Sequence, residues 1–204
     1  YFPYIGGEIK DFFHELGGRV APDLVWTHRH EDLHQDHRLT AARLAKVEAL
    51  REAGIDPYPP AYEPNATAEG VAEAHGDLAD GEESGVEVVV AGRLVGMRHV
   101  GKLAFGVLQD VTGQVQLFAI SGALGERFEA FTDLDLGDLV GVRGEVLRTK
   151  RGELSVRVDD FRLLAKALRP LPEKWHGLQD VEKRYRQRYL DLIVNPDSRR
   201  ILEA

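Results

Sequence analysis

The chain has no cysteine and a single methionine among its 204 residues. The missing thiols exclude a disulfide framework, a cysteine nucleophile and a thiolate metal site, and they suit a cytoplasmic protein. Long apolar runs are also missing. No stretch approaches the roughly 20 residues that a membrane-spanning helix needs, and no signal-peptide pattern opens the chain. Positive charge has a gap of its own: no lysine or arginine lies between Arg51 and Arg93, where Glu63, Glu69, Glu73, Asp77, Asp80, Glu82 and Glu83 fall. The formal charge of −8 therefore says less than its distribution. The acid is concentrated in a segment that reads as a flexible linker, 61–85. Basic residues gather elsewhere: at Arg93, Arg98 and Lys102, at Arg148, Lys150 and Arg151, and from Lys183 to Arg188.

What is present in quantity is short β-patterned sequence. From Val86 to Leu164 come five runs, VEVVVAGRLVGMR, KLAFGVLQD, QVQLFAI, DLVGVRGEVLRT and ELSVRVDDFRLL, each alternating β-branched or aromatic residues between glycine-containing turns. Between the third and fourth runs, Leu124, Phe128 and Phe131 recur at the i, i+4, i+7 spacing of one helix face. Three strands, a helix and two further strands is the order of an OB-fold, a small Greek-key barrel that binds oligonucleotides. The strand count alone also fits other small barrels. The expected class is mainly β, with the five-stranded OB-fold barrel at 86–165.

The flanks read differently. DHRLTAARLAKVEALREAG is rich in helix formers, and Gly54 with IDPYPP stops it, giving an N-terminal helix in 40–60. The linker has helical character only around Ala68–His75. After Ala165, LRPLPEKWHGL should be extended. VEKRYRQRYLDLI is one helical stretch, and NPDSRRILEA starts another at a Pro-containing cap, so 166–204 forms a connector.

The segments AGRLVGMRHVGKLAFGVLQDVTGQVQLF, LGDLVGVRGEVLRTKRGELSV and LRPLPEKWHGLQDVEKRYRQRYLDLIVNP resemble the N-terminal region of bacterial class II lysyl-tRNA synthetases, over roughly Thr40 to Ala204. That resemblance implies an anticodon-binding barrel for tRNA(Lys), in a homodimeric, cytoplasmic family that uses ATP and Mg²⁺ to attach lysine to tRNA. It also implies that this stretch holds the tRNA-selecting part and stops before motif 1 of the catalytic domain. The expectation is a chain that neither aminoacylates by itself nor carries the family's dimerising motif.

Single-stranded RNA is gripped by stacking on aromatics and by hydrogen bonds to exposed base edges. Alternation puts Leu103, Phe105, Val107 and Gln109 on one face of run two, and Gln114, Gln116 and Phe118 on one face of run three. Alternation alone leaves Phe105 open between a core residue and a stacking platform. The resemblance implies the platform, with Gln116 reading a uracil edge, Arg93 meeting phosphate or a base edge, and Glu153 accepting from a base N–H. Arg93 and Glu153 also fit an ordinary surface charge pair. Lys150 and Arg151, at a hairpin tip, fit phosphate contacts without specificity. Tyr185 and Tyr189, one turn apart among Arg184, Arg186 and Arg188, fit a tRNA-facing strip or a helix docked on a further domain.

Tyr1 to Leu39 stands apart. Five of the eight histidines fall here, and FFHELGGRVAPDLVWTHRHEDLHQDHR resembles part of an LmbE-like zinc N-acetylglucosaminyl deacetylase. The resemblance implies His37 as a metal ligand, with His34 and Asp36 supporting it. The HPDD-like half-site of that family, which supplies two ligands and the general base, does not occur in the chain, so Zn²⁺ would be held only if the site were completed. Two resemblances in one chain point to a fusion joined near Leu39–Thr40. The alternative functions are a deacetylase fragment and a single-strand-binding OB module without anticodon preference.

Overall fold

Strand alternation decides which residues form the centre of this molecule. In the computed structural model, which describes residues 35–171, 178 and 181–203, five strands form one closed barrel in the order β1-β2-β3-β5-β4. They are β1 (Glu83–Val100), β2 (Leu103–Gln109), β3 (Gln114–Ile120), β4 (Leu139–Arg148) and β5 (Leu154–Ala165). All neighbours are antiparallel except β3 and β5, which pair in parallel. On β2 and β3 every second residue is buried: Ala104, Gly106 and Leu108 on one, Val115, Leu117 and Ala119 on the other. They meet Leu94, Val140, Val142, Val146, Val156 and Val158 in a single core. The intervening positions, Phe105 and Gln116 among them, face outward.

The β3–β4 connection carries the expected apolar face, divided between two short helices, α3 (Ser121–Leu124) and α4 (Arg127–Thr132). Gly125 separates them at φ +58°, a left-handed conformation that glycine adopts without a side-chain clash. Leu124, Phe128 and Phe131 all still enter the core, and Phe131 meets the edge of Phe161 at 5.2 Å. A second glycine is demanded by close approach. Where β4 and β5 lose register between Arg143 and Gly144, a Cβ on Gly144 would collide with the Arg157 carbonyl.

The acidic segment 61–85 differs from the linker expected of it. Helix α2 (Ala68–His75) is capped by Thr67, whose hydroxyl accepts from the Gly70 amide at 3.1 Å. Its Ala68 and Val71 belong to the core. Acidic composition and the lack of aromatics suggested a linker. Two small apolar residues three positions apart are enough to dock one face, and the carboxylates occupy the other. Asp110 in the β2–β3 turn holds the helix start, accepting from the Ala68 amide at 2.7 Å.

Helix α1 (Gln35–Glu52) crosses the expected join without interruption. Arg43 fastens it, donating to the carbonyls of Leu136, Ala167 and Arg169 at 2.9–3.0 Å. Beside it, the buried Lys166 ammonium sits 2.7 Å from the buried Asp138 carboxylate and also reaches Asp135. The expected single helix over 181–193 is two, α5 (Val181–Arg186) and α6 (Arg188–Val194), followed by α7 (Pro196–Glu203). Asp191 is the hub of this connector. Fully buried, it accepts from Asn195, Arg184 and Arg188, and those bonds hold its carboxyl far below the ordinary range despite burial. Residues 1–34 of the deacetylase-like fragment lie outside the described residues, as does most of the segment expected to be extended after Ala165. No helix among the described residues is long and apolar enough to cross a membrane.

Two outcomes follow from this packing. Burial alone would raise the Asp110 carboxyl. Bonds from the Ala68 amide, the Thr112 hydroxyl and the amides of Gly113 and Thr112 outweigh it and hold the group below its ordinary 3.8. A lowered folded value means that the stabilisation is complete above the unfolded value and is lost as pH falls through the folded one. Urea midpoints should therefore drop below about pH 4, with a shallower acid limb in Asp110→Ala; identical limbs would contradict the assignment. Phe131→Ala should cost about 3–5 kcal/mol as a core truncation. Half-exposed Phe105→Ala should cost only about 1–2 kcal/mol, and equal losses in urea titrations would place Phe105 in the core instead.

Candidate nucleic-acid interface

The outward residues of β2 and β3 build a groove of about 1000 Å³ against the β4–β5 hairpin. Phe105 and Phe118 are direct cross-strand partners, and their rings lie 5.2 Å apart at an interplanar angle of 19°. Val107 and Gln116 form the next pair along the same face. The Arg98 guanidinium stands 5.4 Å from the Phe105 ring centre, on the wall made by β1. Thr149, Lys150, Arg151 and Glu153 make the opposite wall. An aromatic floor between cationic walls offers a flat apolar surface for a base and charge for its phosphates.

Of the six residues expected to bind RNA, the fold brings five to this groove: Phe105, Gln116, Lys150, Arg151 and Glu153. Lys150, Arg151 and Glu153 are exposed, whereas Phe105 and Gln116 are half-buried in the floor. Arg93 lies elsewhere. Its guanidinium is half-buried and donates to the Gly137 carbonyl at 2.7 Å, and burial pushes its pKa below the ordinary value. Arg93 stands opposite Gln109, four residues along β2 from Phe105, and a bulge follows it in β1 between Leu94 and Gly96, where Leu94 and Val95 are both buried. One extra residue reverses the alternation, so the arginine opposite Phe105 is Arg98. The glycines flanking RLV in GRLVG are the signal that could have located this break.

Two further residues escaped the sequence. Arg148 braces the hairpin, donating to the Gly152 carbonyl at 2.5 Å and to the Gly76 carbonyl beyond α2 at 2.6 Å. The supposed linker thus supports the wall that carries Lys150 and Arg151. Ser155, fully buried on β5, accepts from the Gln116 side-chain amide at 2.9 Å. Neither has a sequence signal beyond residue type.

The other expected sites are less developed. His34 lies outside the described residues, and so do the side chains of Asp36 and His37. Among the described residues no group of three His, Asp or Glu converges to hold a metal. Tyr185 and Tyr189 are exposed on α5 and α6, with the Arg188 guanidinium 5.1 Å from the Tyr185 ring centre.

Comparison with known proteins agrees with this geometry. The family model of the tRNA anticodon OB-fold nucleic acid binding domain matches residues 88–164. A lysine–tRNA ligase of Synechococcus sp. (strain RCC307) is 53% identical over 162 residues, 79% of this chain and 32% of the relative. Those of Bacillus subtilis (strain 168) and Moorella thermoacetica are 48% and 49% identical over 84% and 83% of this chain. In both, the match spans 34% of the relative, so the chain spans about a third of the length of the ligases it matches. Its barrel, over residues 88–164, matches the family of tRNA anticodon OB-fold nucleic acid binding domains, and the chain is similar to about a third of the length of lysine–tRNA ligases.

Proposed function

We propose that the groove binds the anticodon loop of a lysine-accepting tRNA, and that the chain serves as the tRNA-selecting part of a cytoplasmic lysine–tRNA ligase. The observation that carries this reading is the solvent-facing Phe105–Phe118 pair beside Gln116, between Arg98 and the Lys150–Arg151 hairpin tip. A surface aromatic pair costs burial that a purely structural barrel would use in its core, and base stacking recovers it.

The roles follow from the chemistry. An anticodon base stacks on Phe105, which takes any base because every base has a π-face. Gln116 supplies one N–H and one carbonyl together, which matches a uracil edge. Glu153 accepts from a neighbouring base N–H, and Lys150 and Arg151 meet phosphates. ATP and Mg²⁺ serve the ligation step of the whole ligase. The role proposed for the described residues is selection of the RNA.

Binding of stem-loops carrying a UUU anticodon tests this. Phe105→Ala should weaken binding by about 1–3 kcal/mol, the usual worth of one base–aromatic stack. Lys150→Ala should weaken every RNA alike and flatten the salt dependence by about one phosphate contact. Folded variants that bind UUU loops as tightly as the parent chain would sink the proposal.

A further inference from the structure

The Gln116 amide makes a contact on its inner side that bears on what its outer side can do. Gln116 and Ser155 are paired across the parallel β3–β5 junction. The Gln116 Nε2 lies 2.9 Å from the Ser155 hydroxyl, and that hydroxyl lies 3.1 Å from the Glu153 carbonyl. A hydroxyl has one proton, and a backbone carbonyl can only accept. In this arrangement Ser155 donates its proton to the Glu153 carbonyl and serves as an acceptor toward Gln116. The Gln116 side chain must then turn its nitrogen, not its oxygen, to Ser155. Because Ser155 is fully buried, water cannot readily replace it in this bond.

We propose that Ser155 is a positioning residue for base selection, holding the Gln116 amide in the one orientation that matches uracil and mismatches cytosine. The inference rests on the anticodon-binding reading above. It adds a reason why an amide, which can in principle serve either pyrimidine, should choose. Uracil presents an acceptor, O4, beside a donor, N3–H; cytosine presents a donor, the 4-amino group, beside an acceptor, N3. An amide can pair with either pattern by exchanging its oxygen and nitrogen through a half-turn. Only an amide whose half-turn is blocked can tell them apart. With one N–H held by Ser155, Gln116 keeps its second N–H and its carbonyl in fixed places toward the groove. Turning over would set the carbonyl against the buried hydroxyl and require its proton to leave the Glu153 carbonyl.

The arrangement separates selection from support. The Glu153 carbonyl also accepts from the Thr149 amide at 2.9 Å, so the hairpin keeps that bond if the Ser155 hydroxyl is removed. Loss of the hydroxyl should release the amide more than it disturbs the wall.

The experiment is a set of dissociation constants for UUU and UCU anticodon stem-loops, measured with the full chain, its Ser155→Ala, Ser155→Thr and Gln116→Ala variants and the Ser155→Ala/Gln116→Ala double variant. Urea midpoints confirm that each is folded, and Ser155→Cys replaces Ser155→Ala if the alanine variant is not. Ser155→Ala should leave UUU binding nearly unchanged and tighten UCU binding, narrowing the preference by about tenfold, the worth of roughly one hydrogen bond. Ser155→Thr keeps a hydroxyl and should keep the preference. In the Gln116→Ala background the serine change should have no further effect, as expected of a residue acting through the amide. An unchanged preference in Ser155→Ala, or equal weakening of both RNAs, overturns the proposal. A parent chain that binds the two loops equally overturns the anticodon reading itself, a result visible before any Ser155 variant is compared.

Discussion

A single extra residue in β1 governs which chemistry this barrel presents. Before the bulge at Leu94–Gly96, Val88, Val90 and Leu94 point inward; beyond it, Met97 packs against the core while Arg98 faces the groove. Uninterrupted alternation would place Arg98 on the inner face, where an unpaired guanidinium is costly. It would also leave the aromatic pair without its cation. β1 pairs with β4 along its first half and with β2 along its second, with Arg93 at the changeover facing both Leu139 and Gln109. The bulge therefore sits where the strand passes from one partner to the other, and the added local twist helps the sheet close. Closure and site are set by the same irregularity.

The groove's other wall depends on packing that is remote in sequence. The β4–β5 hairpin carries exposed charges that contribute little stability by themselves. Its shape is held by backbone bonds within the turn and by Arg148, which reaches past the hairpin to the Gly76 carbonyl after α2. Helix α2 is in turn fixed by Ala68 and Val71 in the core and by Asp110 at its start. The chain of support runs from a turn carboxylate through a short helix to the residues that would meet phosphate. An acidic segment thus serves a basic surface, and the negative sum of the chain says little about its partner.

Much of this was legible in the residues. Period-two alternation in LAFGVLQ and QVQLF showed that Phe105, Gln116 and Phe118 point the same way, because side-chain direction in a regular strand follows from sequence position alone. The apolar spacing of Leu124, Phe128 and Phe131 found the element between strands three and four, although Gly125 divides it. Alternation failed beyond Leu94, and so at Arg98, because a bulge breaks phase at a place that composition marks only with flanking glycines. The docking of 68–75 was hidden by net charge, since two small apolar residues supply the burial. Ser155 was invisible for a different reason: its role depends on a parallel neighbour 39 positions away, and no local pattern encodes such a pairing.

The central claim is that RNA lies on the Phe105–Gln116 face and nowhere else on the barrel. The most direct measurement is an NMR titration of the chain with a UUU anticodon stem-loop, following aromatic ring and side-chain amide signals. The account predicts large shifts for the rings of Phe105 and Phe118 and for the Gln116 amide, with the Gly137 amide and the ring of Phe161 unmoved. Shifts concentrated at Phe161 and along α1, with the Phe105 and Gln116 signals unchanged, would contradict it.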